Sequence, residues 1–481
     1  MNRSTLLKAL VPAITLAIAG CAAVGPDYKR PSDATPASFK EAGENTKGQP
    51  LPPMWWDVFG DAKLNDLEEQ ARASSPNLRA AASRVVQARA IAGIAESQYF
   101  PEVSLDPSVS RSRYSGNRPA QPGTPVAGYS ATDFRLPLDA SYEIDVWGRV
   151  RRQVEAANAR LDATADDYFT VLLTLQADIA QTYFSLRSLD AEIDVLRHAI
   201  DIRKQALDLI SVRYEGGVGS ELDVTRARTE LAQAESDLIG VAKNRARLEH
   251  ALAILVGKAP ADFTLAENPL NIAPPQIPVG LPSELLLRRP DVAKAERLLA
   301  ARNADIGVAQ AAYFPTFSLT GTLGFESARL GDLLKSDSRM GGIGAGFNWP
   351  ILDFGRIKGN VDLTKAAYEE NLAQYRGQVL TAFGDVEDAL SDLRILADQA
   401  QAQSRALTAA QQSAQISITR YEAGLVIFLE VVDAERTRLQ TQRLATQIDG
   451  QRLFASVGLI KALGGGWEDM RASQTKVSSA K

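Results

Sequence analysis

The chain has 481 residues, 45% of them hydrophobic and 23% charged, with 53 Lys and Arg against 58 Asp and Glu. That apolar content supports a large core and excludes whole-chain disorder, and the net charge of −5 argues against a basic surface for nucleic acid. A single cysteine and two histidines, His198 and His250, exclude an intrachain disulfide and a Cys/His zinc cluster and leave little for His-based acid/base chemistry, so no enzyme, cofactor or metal site is expected.

Residues 1–20 read as a signal peptide: Arg3 and Lys8 supply positive charge, an apolar stretch runs from Ala9 to Ala19, and small residues follow. Ile18-Ala19-Gly20-Cys21 resembles the bacterial lipobox, which makes Cys21 the expected lipidation site, carrying an N-acyl chain (palmitate) and an S-diacylglycerol. Ala22 stands where an inner-membrane retention aspartate could stand, which points to the outer membrane. Residues 21–64 then form a lipid-anchored N-terminal segment. Beyond residue 21 no run approaches the ~18 apolar residues of a transmembrane helix, so any bilayer crossing has to be a closed β-barrel.

From residue 65 to 257 the pattern is helix, β-hairpin (103–146) and long helical hairpin (147–257). In the hairpin, Phe134, Leu136, Leu138, Ala140, Tyr142, Ile144 and Val146 alternate with polar residues, and Val103, Leu105, Pro107 and Val109 do the same across a Pro/Gly-rich loop. No proline occurs from Trp147 to Arg213, a helix of roughly 100 Å at ~1.5 Å per residue. Gly216, Gly217 and Gly219 break it, and a second helix runs from about Ser220 to Val256. Its seam, Val224, Ala227, Leu231, Ala234, Leu238, Val241, Arg245, Leu248, Leu252 and Leu255, keeps the 3-4 spacing of a coiled coil. A proline-rich linker, 258–289, follows.

Residues 290–464 repeat the same order: helix, β-hairpin (316–352) and helical hairpin (354–464). Phe317, Leu319, Leu323 and Phe325 alternate with polar residues, and Ile343, Ala345, Phe347, Trp349 and Ile351 alternate with glycines and Asn348. The glycines belong to a strand rather than a nucleotide loop, and Gly464-Gly465-Gly466 lacks the Lys-Ser/Thr of a P-loop. Trp147-Gly148-Arg149 recurs as Phe354-Gly355-Arg356, Arg213-Tyr214-Glu215-Gly216-Gly217 as Arg420-Tyr421-Glu422-Ala423-Gly424, and Leu255-Val256-Gly257 as Ala462-Leu463-Gly464. All three pairs are 207 residues apart, the mark of two copies of one unit, with 465–481 as a C-terminal tail. Four strands cannot close a water-filled barrel, so the chain has to share one with copies of itself.

Several segments carry a family resemblance: Gly25-Pro26-Asp27-Tyr28, Trp55-Trp56-Asp57-Val58-Phe59, Gly280-Leu281-Pro282-Ser283, Arg288-Arg289-Pro290-Asp291, Ala311-Ala312-Tyr313-Phe314-Pro315 and Lys461-Ala462-Leu463-Gly464-Gly465-Gly466-Trp467. In this order they resemble the outer-membrane factors of the TolC superfamily, most closely the OprM/NodT-like efflux lipoproteins. The resemblance implies a mixed α and β membrane protein. In it a homotrimer forms a twelve-stranded transmembrane β-barrel, four strands per protomer, continuous with a twelve-helix periplasmic α-barrel and an equatorial domain that includes the linker. It implies a passive duct of a tripartite multidrug efflux system, partnered by a periplasmic adaptor and an inner-membrane transporter of the RND type. A duct for type I protein secretion, or an envelope scaffold lipoprotein, is the alternative.

Position by position, the family's acidic entrance residues fall on Asp223, Glu430 and Asp433, and a tyrosine that helps hold the closed state falls on Tyr421. Val426 stands where the TolC branch has a gate-locking arginine. The resemblance also places adaptor docking on the hairpin tips, at Arg213, Tyr214, Gly217, Arg420, Gly424, Leu425 and Val426. The apolar run Leu425 to Leu429 has three open readings: a constriction, an adaptor contact, or packing within the hairpin.

Overall fold

A computed structural model describes residues 23–32, 35–41, 52, 54–117, 127–277 and 288–466. The signal peptide, Cys21, the tip of the first β-hairpin loop, linker residues 278–287 and the tail from 467 lie outside the described residues. The chain divides into two compact units, one drawn from 1–31, 85–164 and 295–375 and the other from 32–84, 165–294 and 376–481.

The first unit holds one antiparallel sheet, in the order β1 and β2, then β3, β4 and β5. Its strands are β1 (Glu102–Leu105), β2 (Ser108–Tyr114), β3 (Tyr129–Ile144), β4 (Thr316–Ser327) and β5 (Arg339–Asn348). Leu105 faces Leu138 and Ser108 faces Arg135, so β1 and β2 are one strand in continuous register, interrupted where Pro107 has no N–H to give. Directly opposed residues share a face, and the alternating apolar sets coincide across the sheet. Leu105, Leu138 and Leu323 fall in line, as do Tyr142, Leu319 and Ala345, and Ile144, Phe317 and Phe347. The opposite face carries the Arg135–Glu326 ion pair at 3.4 Å and a hydrogen bond from Thr322 to Asp139.

The apolar face is uncovered: Ile343 is 95% and Phe347 73% exposed. Among the described residues the outer edges of β1/β2 and β5 pair with nothing. Trp349 and Ile351, assigned to the last strand by their alternation, lie beyond it, because Pro350 ends the ladder at Asn348. Trp349 Nε1 donates instead to the Tyr313 carbonyl at 3.0 Å, and Trp147 Nε1 to that of Pro315 at 2.9 Å, so the tryptophans fasten a Tyr-Phe-Pro turn.

In the same unit the N-terminal segment is pinned by α3 (Arg149–Glu215) and α5 (Pro290–Ala311). Val24 N–H donates to the Trp147 carbonyl, Arg152 donates to the Val24 carbonyl and pairs with Asp27 at 2.7 Å, and Asn303 donates to the Pro26 carbonyl. Tyr28 O–H donates to Glu296 at 2.8 Å; burial and that acceptor push the phenol far above its ordinary range. Gly25, at φ +102°, packs so close to Gly307 that an added Cβ would lie 2.5 Å from its Cα. The Gly-Pro-Asp-Tyr motif is therefore a backbone-and-charge clasp.

The second unit is helical. It contains α1 (Ala62–Ser74), the start of α2 (Pro76–Ser97), α4 (Glu221–Leu255), α7 (Phe428–Ala462) and the greater part of α3 and of α6 (Arg356–Glu422). Helices α3 and α6 have 67 residues each, α4 and α7 have 35 each, and each pair begins 207 positions apart. No helix among the described residues is long and apolar enough to cross a membrane. The α4 seam is buried at Val224, Ala227, Ala234, Val241 and Leu252, and none of its members is exposed. Trp55 and Trp56, 0% and 1% exposed, open a short 3-10 turn that plugs the core beside Tyr183 and Phe184.

Glu68 of α1 is fully buried, and neither carboxyl oxygen has a hydrogen-bond partner. Burial pushes this carboxyl well above the usual carboxylate range, against a weaker pull from Arg72. A folded-state value above the unfolded one means that stability falls as pH rises from the unfolded value toward the folded one. Thermal unfolding of wild type against Glu68→Gln checks this: the wild-type midpoint should drop relative to the variant as pH rises above the ordinary carboxylate range. A pH-independent difference would refute it.

Candidate functional site

The tips of the two helical hairpins use one backbone design. At the end of α3, Gly217 N–H donates to the Tyr214 carbonyl and Val218 N–H to that of Arg213, both at 2.9 Å. At the end of α6, Gly424 N–H donates to Tyr421 and Leu425 N–H to Arg420, again at 2.9 Å. These are Schellman caps, which need a left-handed residue just past the helix, and Gly217 and Gly424 supply it at φ +77° and +73°. The repeated Arg-Tyr-Glu-x-Gly motif is thus first a helix terminator. An added Cβ would meet nothing within 4 Å at either glycine, so substitution is penalised through the backbone alone. Gly424→Ala is expected to cost ~1–2 kcal/mol in thermal unfolding, with Gly424→Asn milder.

Past the turns the two tips pack together. Ile210, Val224, Ala227, Phe428, Val431 and Val432 form one buried cluster, with Tyr421 half-buried against it. The Tyr421 ring lies 5.6 Å from Phe428, and the Arg213 guanidinium sits over it at 4.9 Å, a cation–π contact between α6 and α3. The apolar run therefore splits: Phe428 is buried, Val426 is half-buried, and Leu425 and Ile427 are 70% and 63% exposed. The α7 helix starts at Phe428, which fixes the direction of each side chain from there on. Tyr214, Val218 and Leu222 add exposed apolar surface on the other tip.

Asp223 and Glu430 lie in the first turns of α4 and α7, where a carboxylate also complements the helix dipole, and Asp433 follows one turn further on. Asp223 is half-buried and pairs with Arg226 at 3.5 Å. Glu430 and Asp433 are exposed on one face of α7, and neither has an ion-pair partner among the described residues. Arg420 is exposed beside its cap. Among the described residues no group of three or more His, Cys, Asp or Glu side chains is gathered to hold a metal ion.

Further from the turns is a set of charges that sequence reasoning missed. Glu230 of α4 takes Arg203 of α3 at 3.2 Å and Arg436 of α7. Arg443 of α7 reaches Glu192 of α3 at 2.8 Å and Asp237 of α4 at 3.1 Å. Two arginines of α7 thus grip the α3/α4 hairpin. The one local sign was Glu230 lying on the stripe of Ala227 and Ala234, a charge on a buried face.

The profile of the family described as "Outer membrane efflux protein" matches residues 67–258 and again 281–465. The chain is 35% identical over 429 residues to the pyoverdine export outer membrane protein OpmQ of Pseudomonas aeruginosa, covering 87% of this chain and 88% of that protein. It is 31% identical over 473 residues to the cation efflux system protein CusC of Escherichia coli, covering 96% and 99%. The solved outer-membrane channel OprN superposes with a TM-score of 0.86 at 32% identity, covering 92% of this chain and 99% of that one. With both halves matched and relatives aligned end to end, this chain belongs to the outer membrane efflux protein family and is an efflux channel of the outer membrane.

Proposed function

We propose that three copies close a twelve-stranded barrel in the outer membrane and continue it as a twelve-helix periplasmic duct for drugs or other small toxic compounds. A periplasmic adaptor and an inner-membrane transporter of the RND type supply the energy and choose the cargo. One observation carries this reading: a sheet with an uncovered apolar face and two unpaired edges. In lipid, unpaired backbone groups cost several kcal/mol each, so the edges need partner strands, and copies of this chain offer matching ones. The equal helix lengths and the double family match support two copies of one unit, 65–257 and 290–464, joined by the linker 258–289. Lipid on Cys21 would hold the chain at the outer membrane.

In this duct Asp223, Glu430 and Asp433 ring the entrance, and three copies concentrate negative potential that favours cations. Tyr421, under the Arg213 guanidinium and beside the Phe428 ring, holds the tips together. Exposed Tyr214, Leu425 and Ile427, with Val426, Arg420 and the two glycine turns, offer the adaptor an apolar docking surface. The test is conductance in planar bilayers. Purified protein should be trimeric and conduct, and Glu430→Ala with Asp433→Ala should weaken cation preference. A monomer without conductance would overturn the duct, and unchanged selectivity would overturn the acidic ring.

A further inference from the structure

The two faces of the sheet divide its charges unequally. By register, the apolar face takes the odd positions of β1, β2, β4 and β5 and the even positions of β3. Every carboxylate of the described strands, at Glu102, Asp133, Asp139, Glu143 and Glu326, falls on the opposite face, and so does Arg135. The charged residues of the apolar face are all arginines: Arg111 and Arg113 of β2, opposite Thr132 and Ser130, and Arg339 of β5, opposite Phe325. All of them are exposed, and none makes an ion pair among the described residues, whereas Lys335 in the neighbouring loop pairs with Asp332 at 2.6 Å.

These arginines also share one end of the sheet. Helices join it near Glu102, Ile144, Thr316 and Asn348, and there the apolar face is aromatic, with Tyr142, Phe317 and Phe347. The arginines lie at the other end, beside the hairpin loops. Arg339 and Phe347 are ~27 Å apart along β5, and Thr132, across from Arg111, is ~40 Å from Ile144 along β3, at ~3.4 Å per residue. With the ~40° tilt of an outer-membrane barrel strand these become heights of ~20 Å and ~30 Å, on either side of the ~25 Å apolar band that such a barrel shows to lipid. Snorkelling carries each guanidinium to the rim of that band.

Arg111 and Arg113 stand on one outer strand of the sheet and Arg339 on the other. A barrel closed by copies sets β2 of one beside β5 of the next, so each seam gathers these cations on its lipid side. Like charges across a strand pair repel, and an anion between them removes the penalty.

We infer that each seam binds a phosphorylated glycolipid of the outer leaflet, its phosphates held by Arg111 and Arg113 of one copy and Arg339 of the next and its acyl chains laid on the apolar band. This rests on the barrel reading proposed above. A guanidinium fork donates two parallel hydrogen bonds to phosphate oxygens, and the arginines of one seam suit a headgroup with two phosphates better than the single phosphate of an ordinary phospholipid.

The test titrates the detergent-solubilised full chain with bisphosphorylated lipid A and counts bound lipid by native mass spectrometry. Wild type should retain one lipid A per seam. Combining Arg111→Gln, Arg113→Gln and Arg339→Gln should weaken retention by roughly fivefold per arginine removed, and Arg135→Gln on the opposite face should leave it unchanged. Equal retention by wild type and the triple variant would overturn the site. Wild type alone gives a second readout that does not depend on the variant folding: dephosphorylated lipid A and phosphatidylglycerol should both be lost at lower collision energy than the bisphosphorylated form. Equal retention of either one would refute the two-phosphate contact. Trimer mass and bilayer conductance of the same preparations report on the duct separately, so a conducting trimer that holds no lipid A sinks this inference and leaves the barrel standing.

Discussion

Asp190→Ala is expected to lower stability by ~3 kcal/mol, because it strands the buried Arg187 and leaves Arg245 with Glu249 as its one carboxylate partner, at 3.1 Å. The Asp190 side chain has no exposed surface and accepts from Arg187 at 2.9 Å, Arg245 at 2.6 Å and Asn268 N–H at 3.0 Å. Arg187 and Arg245 are themselves only 6% and 11% exposed at the side chain, so solvent cannot replace the lost carboxylate. Arg187 also lies over the Tyr183 ring at 4.8 Å, and Tyr183 O–H donates to Asp61, which caps α1. Burial, and then that donation, push the Tyr183 hydroxyl up to about 12. Damage at Asp190 therefore reaches the linker, α4 and α1 together. Thermal unfolding should show a large drop for alanine and a smaller one for Asp190→Asn, which keeps an acceptor, and limited proteolysis should cut first near 263–268. A loss below about 1 kcal/mol would mean that water or relaxation rescues the arginines.

The second large effect is expected at Glu230→Ala. Its carboxylate is 10% exposed and joins three helices through Arg203 and Arg436. Arg203 is 12% exposed and also donates to the Glu230 carbonyl at 2.7 Å, so it stays in place as an unbalanced charge when the carboxylate goes. A cost of ~3 kcal/mol or more follows for the Arg203 side. Arg436 is 57% exposed and adds less, since solvent screens it. A double-mutant cycle with Arg436→Ala should give a coupling well below the full loss. Because the pair ties α7 to the α3/α4 hairpin, tip residues 213–222 and 420–430 should also become more protease-sensitive. A stable variant with unaltered digestion would show that the apolar cluster around Phe428 holds the tips alone.

Elements whose signal is local were legible in the sequence. Period-two alternation placed the four strands, and the register put their apolar sets on one face. The glycines after Arg213-Tyr214-Glu215 and Arg420-Tyr421-Glu422 marked the helix ends to within a residue or two, because few residues other than glycine tolerate the left-handed cap. The seam of α4 was read from its spacing, and its single charge, Arg245, proved to be the cation that meets Asp190. The end of β5 was misread because alternation persists past Asn348, whereas Pro350 withdraws the N–H a strand needs.

By itself, then, the sequence determined most of the strands and helices and the family, since periodicity and turn chemistry are properties of neighbouring or regularly spaced residues. Only the tertiary structure decided which charges are structural. Asp190 meets Arg245 across 55 residues and Glu230 meets Arg436 across 206, and no local pattern announces a partner that distant. It also decided that Phe428 packs inward while Leu425 and Ile427 face out, because five apolar residues in a row look alike until the helix start fixes their directions.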